Sequence, residues 1–227
     1  MWYKLTWMYI GQDKIRPSGW GWWQPWADTI AYYPLTTAST VNDESWNSHT
    51  MSQYWGTFWT YWWVDCLSLS SSNYLSCTIS QLPQWNNPIT ISCWCWINDI
   101  SWEQWIFWYG RNGRHRSFQF AYHTDYFWVR TYQDDCVISS YSSYTWKWIY
   151  ITWTSDWSSV KFYINWQLQQ TASHSQDMQD TTLYIWKWIV NYWMTWYISN
   201  CIVENVAWTQ QEISDYYDIT KAKYWIS

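Results

Sequence analysis

The strongest constraint on this chain is a two-residue rhythm that keeps restarting. In Val160-Lys161-Phe162-Tyr163-Ile164, the apolar residues at 160, 162 and 164 share one face of an extended strand, while Lys161 and Tyr163 face the other way. Comparable short runs recur near 5–10, 30–35, 64–69, 89–97, 104–109, 117–122 and 126–132. More follow near 148–154, 167–171, 182–185 and 197–206, with polar turn residues between them. Strands at this spacing, with almost no helical periodicity, predict an antiparallel sandwich or barrel. One helix is expected. Thr209-Gln210-Gln211-Glu212 is a capping box, in which the hydroxyl satisfies an early N–H and Glu212 reaches back, and the helix should run to about Tyr217.

The 227 residues suffice for one such domain with a sizeable core. We read 1–17 as a short N-terminal attachment segment, 18–28 as a linker and 29–227 as the sandwich. A net charge of −5 with only 13% charged residues argues against nucleic acid as a partner. No run of eighteen uncharged apolar residues predicts a membrane span. The N-terminal residues show neither an apolar signal core nor a small-residue cleavage site, so no signal peptide is recognised. Six cysteines, at 66, 77, 93, 95, 136 and 201, form no CxxC pair. Cys93 and Cys95 share one strand face inside an apolar run, which suits buried thiols better than metal ligation, with a disulfide as the alternative.

One feature of the composition bears on the letters themselves. The chain has 29 tryptophans and only 6 glycines, where about sixteen glycines would be ordinary. Asp156-Trp157 and Asn165-Trp166 stand between strand-like runs, where hairpins use Asp-Gly and Asn-Gly. Trp20, Trp22, Trp23 and Trp26 crowd a segment that otherwise reads as a Gly/Pro linker. This pattern predicts that many of the tryptophans are glycines in the source organism, encoded by a UGA codon under an alternative genetic code. The codons at Trp157, Trp166, Trp186 and Trp196 decide it, since UGG there ends the idea. A genuinely Trp-rich carbohydrate binder is the rival. Trp94 and Trp148, inside strand patterns, and Trp208, before the helix, read as authentic.

Several segments, in order, carry a family likeness. Ile30-Ala31-Tyr32-Tyr33-Pro34-Leu35 is similar to an opening strand, and Asp43-Glu44-Ser45-Trp46-Asn47 to a D-x-S-G-N loop with Trp46 at the glycine position. Leu67–Leu75, Ile89–Trp94, Lys147–Thr152, Val160–Leu168 and Trp196–Ile213 continue the series. Over about residues 28–217 the chain resembles the laminin-G-like, concanavalin A-like lectin/glucanase superfamily. The resemblance implies an all-β, antiparallel jelly-roll β-sandwich with one short C-terminal helix. It also implies carbohydrate binding and, at a rim, possible calcium held by Asp43 and Asn47. The matching closing acidic position is Ser199-Asn200 here, which weakens the calcium expectation.

The superfamily contains glycoside hydrolases, and retaining ones need two carboxylates about 5–5.5 Å apart. Of the four glutamates, Glu44, Glu103, Glu204 and Glu212, none has an acidic partner two or four residues away, so no enzyme is expected. His49, His115, His123 and His174 are scattered, and Asp134-Asp135 reads as a turn. The basic cluster in 111–116 reads as a hairpin tip with Tyr122 and Tyr126 nearby, so Arg111, Arg114, His115, Tyr122 and Tyr126 form a candidate sugar or anion site. The sequence therefore predicts a non-catalytic module recognising a glycan or surface polymer. Its N-terminal segment offers a protein attachment with slight likeness to a phage tail or surface-assembly component, which suggests an extracellular or virion-surface setting. The rivals are a structural virion or envelope assembly protein and, less favoured, a glycoside hydrolase.

Overall fold

The computed structural model describes residues 9–10, 13–14, 28–36, 41–54, 56–70, 73–97, 104–111, 114–123, 126–130, 136–139, 141–173, 176–185 and 195–226. A small N-terminal pair, β1 (Tyr9–Ile10) and β2 (Asp13–Lys14), is antiparallel. Then come β3 (Thr29–Tyr33), β4 (Ser52–Tyr54), β5 (Thr57–Tyr61), β6 (Val64–Ser70), β7 (Tyr74–Thr78) and β8 (Ile89–Ile97). The chain continues through β9 (Gln104–Gly110), β10 (Ser117–His123), β11 (Tyr126–Arg130), β12 (Cys136–Ser139) and β13 (Trp148–Ser155). It closes with β14 (Val160–Ile164), β15 (Gln167–Ala172), β16 (Thr182–Ile185), β17 (Thr195–Glu204), helix α1 (Gln210–Thr220) and a 3-10 turn, Lys221–Tyr224. The linker 18–27, Trp186, Glu103, Asn112-Gly113, Asp134-Asp135 and His174 lie outside the described residues.

The strands form two antiparallel sheets, as the alternation predicts. One runs β12-β11-β10-β9-β16-β7-β4, the other β15-β14-β13-β8-β17-β6-β5, with β3 added along β17. Chain neighbours such as β16 and β17 lie in different sheets, the crossing-over that makes a jelly roll rather than two meanders. Facing side chains interlock between the layers. Phe118 stacks on Trp153 at 3.8 Å and Phe120 on Phe162 at 4.9 Å between ring centroids. Val160, Phe162 and Ile164 all point into this core, as their spacing requires.

Their neighbour Tyr163 faces the other way, as the spacing requires, and that face is covered too. Tyr163 is buried in a second core, where α1 and the 3-10 turn pack on the outer face of the eight-stranded sheet. There Trp94 stacks on Tyr224 at 4.0 Å and 11°, and its Nε1 donates to Thr220 Oγ1 at 3.0 Å. The capping box is formed: the Glu212 backbone N–H donates to Thr209 Oγ1, and Glu212 accepts from the Thr209 backbone N–H at 2.7 Å. The helix reaches Thr220, three residues beyond the expected stop, because Tyr216, Tyr217 and Thr220 still have a sheet to cover. Strands β2, β4, β5, β7 and β12 match no run expected from the sequence: β4 and β5 are mostly exposed, so they lack the buried-face signature.

Cys66, Cys93, Cys95 and Cys201 are buried and free, and Cys77 is half-buried and free. Burial pushes the Cys66 thiol up to about 12, although a backbone hydrogen bond at Tyr61 opposes it. The expected result is that Cys66 resists alkylation at pH 8 in the native protein and reacts once the chain is unfolded, read by mass shift after denaturation. The same shift sets a pH window. The folded state keeps a proton that the unfolded chain releases from about 9, so this contribution is complete below 9 and is lost as pH rises towards 12.

Candidate functional site

The Asp43 loop is held by its own polar atoms. Asp43 Oδ1 accepts from the backbone N–H groups of Tyr32 and Ser45, both at 2.8 Å. Oδ2 accepts from Ser45 Oγ at 2.8 Å and from the His49 N–H at 2.7 Å. Asn47 Nδ2 donates to the carbonyls of Thr29 and Ile30 at 2.9 and 3.0 Å. The D-x-S-G-N-like segment thus latches the loop to β3. Calcium needs lone pairs converging from six to eight oxygens, but N–H and O–H donors surround this carboxylate. No group of three or more His, Cys, Asp or Glu suited to a metal occurs among the described residues. The residues present do not fit a calcium ion. Accordingly, chelator or excess calcium should move the melting temperature by less than about 1 °C. A site filled at a hundred times its dissociation constant would add about 2.7 kcal/mol.

The basic tip lies between β9 and β10. Gly110 makes the turn possible: its φ is +90°, and a Cβ there would sit 2.3 Å from the Arg116 carbonyl oxygen. The neighbouring 176–180 segment clamps the tip. The His115 carbonyl accepts from the Asp177 N–H at 2.7 Å, Arg116 Nε pairs with Asp177 Oδ2 at 3.2 Å, and Arg111 Nη2 donates to Gln179 Oε1. Arg114 is exposed and His115 half-buried. Tyr122 and Tyr126 do not join them. They flank the β10–β11 turn at the far end of β10, which at about 3.3 Å per residue is roughly 20 Å away. The five residues therefore form two separate groups, because β10 runs the whole distance between its two turns.

Tyr126 belongs to something larger. Across the outer face of the seven-stranded sheet, aromatic rings follow one another from strand to strand. Tyr54 on β4 stacks on Tyr74 of β7 at 4.4 Å and 15°. Tyr74 lies 6.2 Å from Tyr184 on β16, and Tyr184 lies 6.0 Å from Trp108 on β9. Trp105, Trp128 and Tyr126 continue the row at 6.3, 5.9 and 6.0 Å. Ala121 on β10, paired with both Trp105 and Trp128, is small enough to let those two indoles meet. Tyr54 is 45% exposed, Tyr74, Tyr184, Trp108, Trp128 and Tyr126 are half-buried, and Trp105 is buried. Ser76 pairs with both Ser52 and Tyr184, so hydroxyls border the tyrosines on the same face.

Each ring occupies an outward position of its own strand, such as Tyr184 between inward Leu183 and Ile185. The row was missed in sequence because it exists only once the strand order β4-β7-β16-β9-β10-β11 is known. Two described glutamates have structural roles. Glu204 accepts from Thr29 Oγ1 at 2.8 Å and from Trp208 Nε1 at 2.7 Å in a buried tie, and Glu212 serves the helix cap.

No family model matches this chain, and no curated protein matches it by sequence. Solved structures with the same fold do. The botulinum neurotoxin serotype G binding domain superposes with a TM-score of 0.71 at 14% identity, over 86% of this chain and 51% of that one. The serotype D binding domain gives 0.70 at 15% identity, over 84% and 51%. The serotype D ligand-binding domain in complex with N-acetylneuraminic acid gives 0.68 at 16%, over 84% and 50%. This chain spans about half the length of the structures it matches. The likeness establishes the β-sandwich.

Proposed function

We propose that this chain is a non-catalytic recognition module of the laminin-G-like, concanavalin A-like kind, and that the aromatic face of its seven-stranded sheet binds a glycan or carbohydrate-like surface polymer. The neighbouring tyrosines Tyr54, Tyr74 and Tyr184, the first two stacked, carry this reading. Contiguous aromatic surface on one face of a domain marks an interaction site, and the described α-helix covers the opposite sheet instead. Sugar rings present flat C–H faces to such aromatics and hydroxyls to a rim like Ser52 and Ser76. That a domain of this fold has been solved with N-acetylneuraminic acid supports the class of ligand. Attachment through the N-terminal β1–β2 pair to a phage tail or cell-surface assembly is the setting we infer for it.

The test is a glycan array followed by titration of any hit. Truncating a buried aromatic anchor typically removes about 2 kcal/mol, so Tyr74→Ala is expected to weaken binding roughly 30-fold. Arg114→Ala, at the separate basic tip, should leave a neutral glycan's affinity within about twofold, as exposed rim charges contribute little. Blank arrays together with discrete oligomers in light scattering would replace this reading with the assembly protein.

A further inference from the structure

Among the described residues, two groups of tryptophans differ in both burial and backbone conformation. In the first, Trp94, Trp148, Trp153 and Trp208 are buried; the indoles of Trp94 and Trp208 donate to Thr220 and Glu204. In the second, Trp62, Trp63, Trp85, Trp146, Trp166 and Trp225 all have positive φ, between 49° and 67°. Every one of these six is exposed, from 38% at Trp166 to 83% at Trp63. A bulky side chain is a rare outlier in that region, which glycine enters freely.

The local motifs name the missing residue. Tyr61 pairs with Val64, so Trp62-Trp63 is a two-residue hairpin loop, with φ of 49° and 64°. Ile164 pairs with Gln167, so Asn165-Trp166 is another, with φ of 49° and 67°. Both are type I′ in character, for which Gly-Gly and Asn-Gly are the preferred sequences. Trp225 stands just past the 3-10 turn at φ 59°, ψ 28°, the left-handed position that glycine occupies when it ends a helix. A tryptophan-rich binding protein would gather its indoles on one surface. These six are dispersed over five separate turns and share only their backbone conformation.

We infer that Trp62, Trp63, Trp85, Trp146, Trp166 and Trp225 occupy glycine positions, and that the codon behind each is UGA, decoded as glycine in the source organism. One reassigned codon accounts at once for the surplus of tryptophan and the deficit of glycine. Trp46 and Trp157 are also exposed in turns but have no positive φ, so the backbone does not assign them. The aromatic row keeps Tyr54, Tyr74, Tyr184 and Tyr126 whatever the outcome, and the codons of Trp105, Trp108 and Trp128 set how far it extends beyond them.

The experiment is to read the gene and to sequence peptides of the protein, isolated from its natural source, by tandem mass spectrometry. UGA codons and glycine masses are expected at all six positions, with UGG codons and tryptophan masses at Trp94 and Trp208. A tryptophan mass at any of the six overturns the assignment, as does a glycine mass at Trp94. Neither result touches the glycan reading, which is tested on tyrosines.

Discussion

A chain carrying glycine in place of Trp62, Trp63, Trp85, Trp146, Trp166 and Trp225 is expected to melt about 6–20 °C above the chain as written. Holding an L-residue with a Cβ in the left-handed region costs roughly 1–2 kcal/mol. Glycine removes that strain but gives back about 0.5–1 kcal/mol through the greater freedom of the unfolded chain. The net gain is about 0.5–1 kcal/mol per site. Apart from Trp62 and Trp63, which share one loop, the sites lie in separate turns, so the gains should add to about 3–5 kcal/mol. For a domain of this size each kcal/mol moves the melting point by about 2–4 °C. Thermal unfolding followed by circular dichroism reads the shift directly. Alanine at the same six positions separates the causes, since it removes the exposed indole but keeps the Cβ. It should recover less than half of the gain. Equal melting points for the glycine chain and the written chain would show that these turns carry no strain.

That expectation also explains which parts of the fold were legible in the sequence. Val160, Phe162 and Ile164 announced their strand because all three enter the core between the sheets, while Lys161, only partly buried, marks the other face. Asn165-Trp166 announced its two-residue turn through Asn165 alone, with Trp166 at a φ of 67° contradicting it, whereas Asp156-Trp157 falls in a four-residue loop between Ser155 and Val160. Strands β4 and β5 were silent because β4 is exposed on every residue and β5 on most. The site was less legible than the fold, for a related reason. Sequence neighbours suggested that Arg111, Arg114 and His115 join Tyr122 and Tyr126, but a seven-residue strand carries the two groups to opposite ends. Conversely, Tyr54, Tyr74 and Tyr184 are up to 130 residues apart in sequence and meet only through register: Tyr54 opposite Tyr74, and Tyr184 opposite Ser76. Alternation specifies which face a residue occupies, not which strand lies beside it. The Asp43 loop shows the limit of motif reading, because a segment that resembled a metal loop has its acid engaged by four donors of its own fold.

Trp94→Gly is expected to act with the opposite sign, destabilising the domain by about 5 kcal/mol. Removing a fully buried large aromatic costs about 3–5 kcal/mol, and glycine inside a strand adds roughly another 0.5–1. Trp94 lies at the centre of the second core, stacked on Tyr224 and Tyr217 and bonded to Thr220 through Nε1. Its loss should release α1 and the 3-10 turn from the eight-stranded sheet before the sandwich itself opens, because the core between the sheets is built from other side chains. Limited proteolysis should then cut within 205–226 while the two sheets stay protected, and the aromatic signal in near-ultraviolet circular dichroism should fall. Trp94→Phe, keeping a ring but losing the hydrogen bond to Thr220, should cost only about 1–2 kcal/mol. The substitution that relieves the six turns is thus the one that undoes this face. A Trp94→Gly chain as stable as its parent would mean that the helix is not held by this indole, and the division into two kinds of tryptophan would fail at its clearest member.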